Sequence, residues 1–134
     1  MKRLFLFTFT FILLVACQSA PSQNTGSDNN FREQFNRHLQ RVSRTLDLAK
    51  AMPADTYEWR PMEGVMSVEE VYTHIARYNY LYPATSLDIP APDDVDMEQI
   101  ESITGKEQVV AVLERSINHL RNAVDNMPDS KFSD

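Results

Sequence analysis

The chain has 134 residues and a net charge of −6, from 13 lysine and arginine residues against 19 aspartate and glutamate residues. This length suits one modest domain and excludes a barrel enzyme or a two-domain architecture. The acidic balance argues against nucleic acid as a partner, because phosphate binding needs a concentrated basic face. The single cysteine excludes a disulfide framework and any zinc or iron–sulfur site built from several cysteines.

The N-terminal segment has the features of a signal peptide. Lys2 and Arg3 precede an apolar run over residues 4–16 that is interrupted only by Thr8 and Thr10. As a helix this run extends about 20 Å, which is less than the roughly 30 Å hydrocarbon core of a membrane. It therefore fits the hydrophobic region of a signal peptide better than a membrane span.

The apolar run ends in Leu14, Val15, Ala16 and Cys17, a tetrapeptide that resembles a bacterial lipobox. The resemblance implies cleavage of residues 1–16, acylation of Cys17 and a lipid anchor in the cell envelope. The two residues after the cysteine lack the aspartate that favours inner-membrane retention. This implies the periplasmic face of the outer membrane in a Gram-negative host. An ordinary secretory signal with a chance cysteine and an uncut signal anchor remain open as alternatives.

The remaining chain divides into a tether and a folded domain. Cleavage before Cys17 leaves 11 basic and 19 acidic residues, a net charge of −8, which disfavours binding to anionic lipid headgroups. Residues 17–30 are polar and lack an apolar period, so we expect a lipidated, flexible tether. The folded domain is expected to occupy residues 31–134.

Three segments have the periodicity of amphipathic helices and none alternates as a strand does, so the sequence predicts an all-α domain. The first apolar stripe covers residues 31–52. The second helix opens with a capping box formed by Ser67 and Glu70 and is expected to end at Pro83.

The third helix is predicted to open with a capping box of Thr104 and Glu107 and to stop before Pro128. Residues 53–66 contain Tyr57, Trp59 and two prolines, which indicates a packed, ordered loop. Residues 83–103 hold three prolines and six acidic residues but lack the central glycine of a calcium loop. We therefore expect a solvated acidic crossover there.

One block of sequence resembles the DinB/YfiT-like superfamily of metalloenzymes. The similar segments are Met52-Pro53, Tyr57-Glu58-Trp59-Arg60-Pro61, Gly64-Val65, Ser67-Val68-Glu69-Glu70, His74-Ile75-Ala76 and Thr104-Gly105-Lys106-Glu107. The resemblance extends over about residues 31–132, which is nearly all of the predicted domain.

The resemblance implies a helical bundle with a long crossover between its second and third helices. In this superfamily three histidines hold a divalent metal such as zinc or nickel, and some members resemble thiol transferases. One histidine lies in the middle of the second helix, where His74 matches, and two form an HxxxH pair on a fourth helix. The chain has no counterpart of that pair, so the resemblance implies three core helices plus the signal helix, with truncation before a fourth.

The histidines themselves show no metal-binding spacing. His38, His74 and His119 fall on three separate predicted helices, so none forms an i, i+4 pair with another. Their angular positions place His38 at the rim of its apolar stripe and His119 towards solvent. His74 has two interpretations, a flanking histidine near Glu70 and Tyr78 or the remnant of a metal site.

Three helices arranged for a four-membered bundle should leave an open apolar groove, which we expect between the first and third helices. The expected occupants are a second copy, a helix donated by a partner, or the loop with Tyr57 and Trp59. Collapse to a three-helix bundle and a truncated product that folds poorly remain open as alternatives. The sequence thus predicts a lipoprotein whose DinB-like domain is a binding or structural module with an incomplete metal site and no assigned catalytic residue. The alternative is a metal-dependent, thiol-transferase-like enzyme completed by a dimer partner or a fourth helix.

Overall fold

A computed structural model describes residues 27–128 and residue 131, with side chains described from residue 32 onward. It contains three helices, α1 (Ser27–Ala51), α2 (Val68–Ser86) and α3 (Lys106–Asp125), and short 3₁₀ turns at Ala54–Thr56 and Ile100–Ser102. Its described residues include no strand, so the predicted all-α class is confirmed. None of the described helices is long and apolar enough to cross a membrane.

The predicted signal peptide, the lipobox with Cys17, and residues 17–26 of the predicted tether lie outside the described residues. Residues 27–30 were expected to belong to the tether, but they form the first turn of α1. A helix propagates through its backbone hydrogen bonds, which need no apolar period, and so this extension left no periodic signal in the sequence.

The central helix is α3, which packs against both α1 and α2. At one end, Lys106 Nζ donates to the Met52 carbonyl oxygen at 2.6 Å. At the other end, the Arg32 guanidinium donates to the carbonyl oxygens of Val124 and Met127 at 2.8 and 2.6 Å. These contacts join the end of α1 to the start of α3 and the start of α1 to the end of α3, so the two helices are antiparallel.

In contrast, α2 and α3 are parallel. Near the start of both helices, the Gly105 N–H donates to Glu69 Oε2 at 3.0 Å. Near the middle of both, Asn79 Nδ2 donates to Ser116 Oγ, also at 3.0 Å. Parallel neighbours require the chain to return along the length of the bundle, and residues 87–105 make this return. The long crossover that the resemblance implied is therefore present.

The two predicted capping boxes have opposite outcomes. At the start of α2, Ser67 Oγ accepts the Glu70 N–H, and the Glu70 carboxylate accepts the Ser67 N–H at 2.6 Å. The latter hydrogen bond is the main cause of a lowered pKa at Glu70. The box predicted from Thr104 and Glu107 is wrong, because the N-cap of α3 is Gly105, which has a φ of +83° and makes no side-chain cap. A glycine adopts this φ without the steric cost that a side chain adds.

The predicted end of α2 at Pro83 is also wrong, since the helix continues to Ser86. Pro83 has no backbone N–H to donate to a carbonyl oxygen of the preceding helical turn. However, its own carbonyl oxygen accepts the N–H groups of Leu87 and Ile89 at 3.0 and 3.1 Å. The helix therefore ends after the proline, where the crossover begins.

The core lies between the three helices, the loop after α1 and the crossover. Its buried side chains are Leu46, Ala49, Tyr57, Tyr72, Ala76, Tyr80, Ile100, Val109, Leu113 and Ile117. The predicted packing of the loop is therefore right for Tyr57. It is wrong for Trp59, whose side chain is 62% exposed.

Tyr57 completes the C-terminal end of α1. Pro53 has no N–H to donate to the carbonyl oxygen four residues earlier, which is that of Ala49. The Tyr57 hydroxyl donates to this oxygen instead, at 2.6 Å and in a buried position. Burial, followed by the charges of Tyr72 and Glu107, raises the pKa of Tyr57 and keeps the donor protonated.

Candidate functional site

A groove runs between α1 and α2, because each helix packs mainly on α3 rather than on the other. It encloses a cavity of about 560 Å³ whose lining residues are Phe35, His38, His74, Ile75, Tyr78, Asn79, Tyr82 and Leu120. We call this the α1–α2 groove. The groove expected between the first and third helices was predicted to be apolar, but α1 and α3 pack against each other and the cavity between them, of about 320 Å³, is lined mainly by polar side chains.

His74 lines the groove and is held by the crossover. Its Nδ1 lies 2.7 Å from Glu101 Oε1, and Arg77 Nη1 lies 3.9 Å from the same carboxylate oxygen. In a neutral imidazole, this contact places the proton on Nδ1 and leaves the lone pair on Nε2. The ring also contacts Tyr78 as expected, but its polar partner is Glu101 rather than the expected Glu70.

The other two histidines lie at different sites, one in the groove and one outside it. His38 is exposed and lines the same groove as His74. The expectation that His119 faces solvent is wrong, because its ring packs on Tyr80 with centroids 5.0 Å apart and its Nε2 is buried, with no hydrogen-bond partner among the described residues. Leu87, at the start of the crossover, lines the same cavity as His119. A helical wheel of one helix does not show such neighbours from another part of the chain.

The described residues do not form a complete centre for the divalent metal that the resemblance implies. Such a centre needs three protein ligands converging within about 2 Å of one ion. Nowhere in residues 27–128 do three His, Cys, Asp or Glu side chains lie together as a metal-binding group. His38 and His74 share the groove, but the nearby Glu101 already bonds the His74 ring.

The groove wall on α2 is an aromatic ladder of His74, Tyr78 and Tyr82. Successive ring centroids are 4.5 and 5.2 Å apart, as residues four positions apart on one helical face allow. The Arg77 guanidinium lies 5.6 Å from the Tyr78 ring centroid, within cation–π distance. The i, i+4 spacing of these rings could be seen in the sequence, but nothing there marked the contact with Glu101, 27 residues away. Aromatic faces beside a few polar groups suit recognition of another molecule.

Acidification is expected to lower the free energy of unfolding as the pH falls through about 6.5. Burial lowers the pKa of the His119 imidazole from its ordinary value of 6.5. Between the folded and unfolded pKa values, the unfolded chain binds a proton that the folded chain does not, so falling pH favours unfolding. Urea denaturation from about pH 7.5 to about pH 5.5 measures this slope, which His119→Gln should flatten. His38→Gln is the control, since that side chain is exposed; equal slopes in both variants would exclude His119 as the cause.

The DinB superfamily model matches residues 37–134. The match covers α2, α3 and every residue of the groove lining except Phe35. No curated protein and no solved structure matches the chain.

Proposed function

Since the chain belongs to the DinB superfamily, we propose that it is a lipid-anchored envelope protein whose helical domain serves as a binding module. Its metal site is incomplete. The observation that carries this proposal is the α1–α2 groove, in which the family-type histidine His74 is present without two further ligands among the described residues. The groove offers aromatic surface for a partner, and its described lining does not assemble three metal ligands.

The anchor is inferred from the N-terminal sequence. Two basic residues, a short apolar run and the lipobox ending in Cys17 together support acylation of this cysteine. Acyl chains stabilise membrane attachment by about 0.8 kcal/mol for each buried CH₂ group. The domain would then sit at the membrane surface, on the periplasmic face of the outer membrane in a Gram-negative host.

A second candidate function is a metal-dependent, thiol-transferase-like enzyme. The observation that favours it is the hydrogen bond from His74 Nδ1 to the Glu101 carboxylate. Histidines that bind metals commonly have such a partner, which orients the ring and presents Nε2. A second copy of the chain or a fourth helix would supply the remaining ligands.

Replacement of the anchoring cysteine tests the envelope location. The full chain with Cys17→Ser should move from the membrane fraction to the aqueous phase on detergent partitioning, because no acyl chain can be attached. Ser19→Ala, two residues away, is the matched control and should remain with the membrane. Unchanged partitioning of a Cys17→Ser chain that N-terminal sequencing shows to have lost residues 1–16 would contradict lipidation.

Metal titration separates the two candidate functions. With the purified full chain, calorimetric titration of Zn²⁺ or Ni²⁺ should show no micromolar binding that depends on His74, because three ligands are not assembled. The variants are His74→Ala and, as a control outside the groove, His119→Gln. Micromolar binding that is lost only in His74→Ala would reject the binding module and favour the enzyme.

A further inference from the structure

The α1–α2 groove is long enough to contact about two turns of a helix. Two helices packed on a third leave a trough between them, and Leu120 of α3 lies at its floor. Along α2 the lining extends from His74 to Tyr82, a rise of about 12 Å or roughly two helical turns. Side chains of an inserted helix would meet ridges on both walls, as in ordinary helix packing.

The lining of the α1–α2 groove is largely aromatic. Phe35 faces the groove from α1, and the aromatic ladder of His74, Tyr78 and Tyr82 faces it from α2. Tyr82 is 60% exposed. An exposed ring that continues a row of aromatic side chains favours contact with the apolar face of an amphipathic helix.

Two arginines, Arg37 and Arg41, lie beside the groove on α1, although the chain as a whole is acidic. A second cavity, of about 490 Å³, adjoins the groove through Phe35 and His38 and is also lined by Arg37 and Arg41. Arg37 forms an ion pair with Glu33. Within the part of the chain that the structure describes, Arg41 has no acidic partner within ion-pair distance.

We infer that the α1–α2 groove binds an amphipathic helix of a partner protein, with the partner's apolar face on the aromatic ladder and its acidic flank beside Arg41. This inference rests on the proposed binding function and names the chemistry of its partner. The aromatic wall supplies most of the buried apolar surface. Arg41 favours a partner helix whose flank is negatively charged, and it orients that helix in the groove. Charge complementarity of this kind determines specificity more than affinity.

Two designed peptides test the inference. Both have about 16 residues and leucines at i, i+3, i+4 and i+7, but one carries glutamates and the other lysines on the flank. Fluorescence anisotropy against the full chain in detergent micelles should show at least about fivefold tighter binding of the acidic peptide. Added salt should reduce this preference.

Two variants locate the contact, and circular dichroism checks that each remains folded. Arg41→Glu should reverse the preference for the acidic peptide, whereas Arg44→Glu, exposed on the same helix but outside both cavities, should leave it unchanged. Tyr82→Ala, which removes an exposed ring, should weaken the binding of both peptides.

Several results would overturn the inference. They are equal affinity for the two peptides, no binding of either to the folded chain, or equal effects of the two arginine variants. A dimer in sedimentation that Tyr82→Ala dissociates would identify a second copy as the occupant and also reject the inference. None of these variants changes His74 or Cys17. These outcomes are therefore distinguishable from failure of the proposed function, which the metal and partitioning experiments report.

Discussion

Leu113→Ala is expected to lower the free energy of unfolding by about 2–5 kcal/mol. The Leu113 side chain is 0% exposed and belongs to the core cluster that joins α3 to α1, α2 and the crossover. The substitution removes buried methyl groups and leaves a cavity that its neighbours fill only partly. Urea denaturation followed by circular dichroism measures the loss.

Leu48→Ala is the matched control, because it makes the same deletion at a side chain that is 56% exposed on α1. Its cost should stay below about 1 kcal/mol, as for most surface substitutions. Comparable losses in the two variants would contradict the central position of α3 in the core.

Tyr57→Phe is expected to lower the free energy of unfolding by about 1–3 kcal/mol, although it removes a single oxygen atom. Without the hydroxyl, the buried Ala49 carbonyl oxygen has neither the Tyr57 donor nor an amide at Pro53. A buried acceptor left without a partner bears the cost of its lost hydration. The same urea titration detects the change.

Two other tyrosines provide controls for this prediction. Tyr82→Phe should have little effect, because the Tyr82 side chain is largely exposed. Tyr80→Phe should be neutral or stabilising, since the buried Tyr80 hydroxyl has no hydrogen-bond partner among the described residues. If Tyr57→Phe were as harmless as Tyr82→Phe, its hydroxyl would not be the cap of α1.

The features that could be predicted from sequence are those encoded locally. Helical periodicity identified all three helices, and the Ser67–Glu70 pair identified the start of α2 because both partners lie within one turn. The start of α3 was missed because its N-cap amide is bonded by Glu69, 36 residues away. A capping pattern in the local sequence has no information about such a competing partner.

The candidate site was predictable to a similar extent. Resemblance selected His74 as the family-type histidine, and the groove does contain it. The partner Glu101 comes from the crossover, so its contact depends on the parallel arrangement of α2 and α3. The His119 ring packs on Tyr80 of α2, a contact between two helices that the angular position of His119 on one helix does not reveal.

The reciprocal contacts at the ends of α1 and α3 have a mechanical consequence. Lys106 holds the last turn of α1, and Arg32 holds the last turn of α3. A pull on the first turn of α1, opposed by a partner seated in the groove, would load this antiparallel pair in shear. Shear must break several side-chain contacts together, whereas peeling would open one helical turn after another. Arg32 would thus carry part of any force applied between Ser27 and the groove.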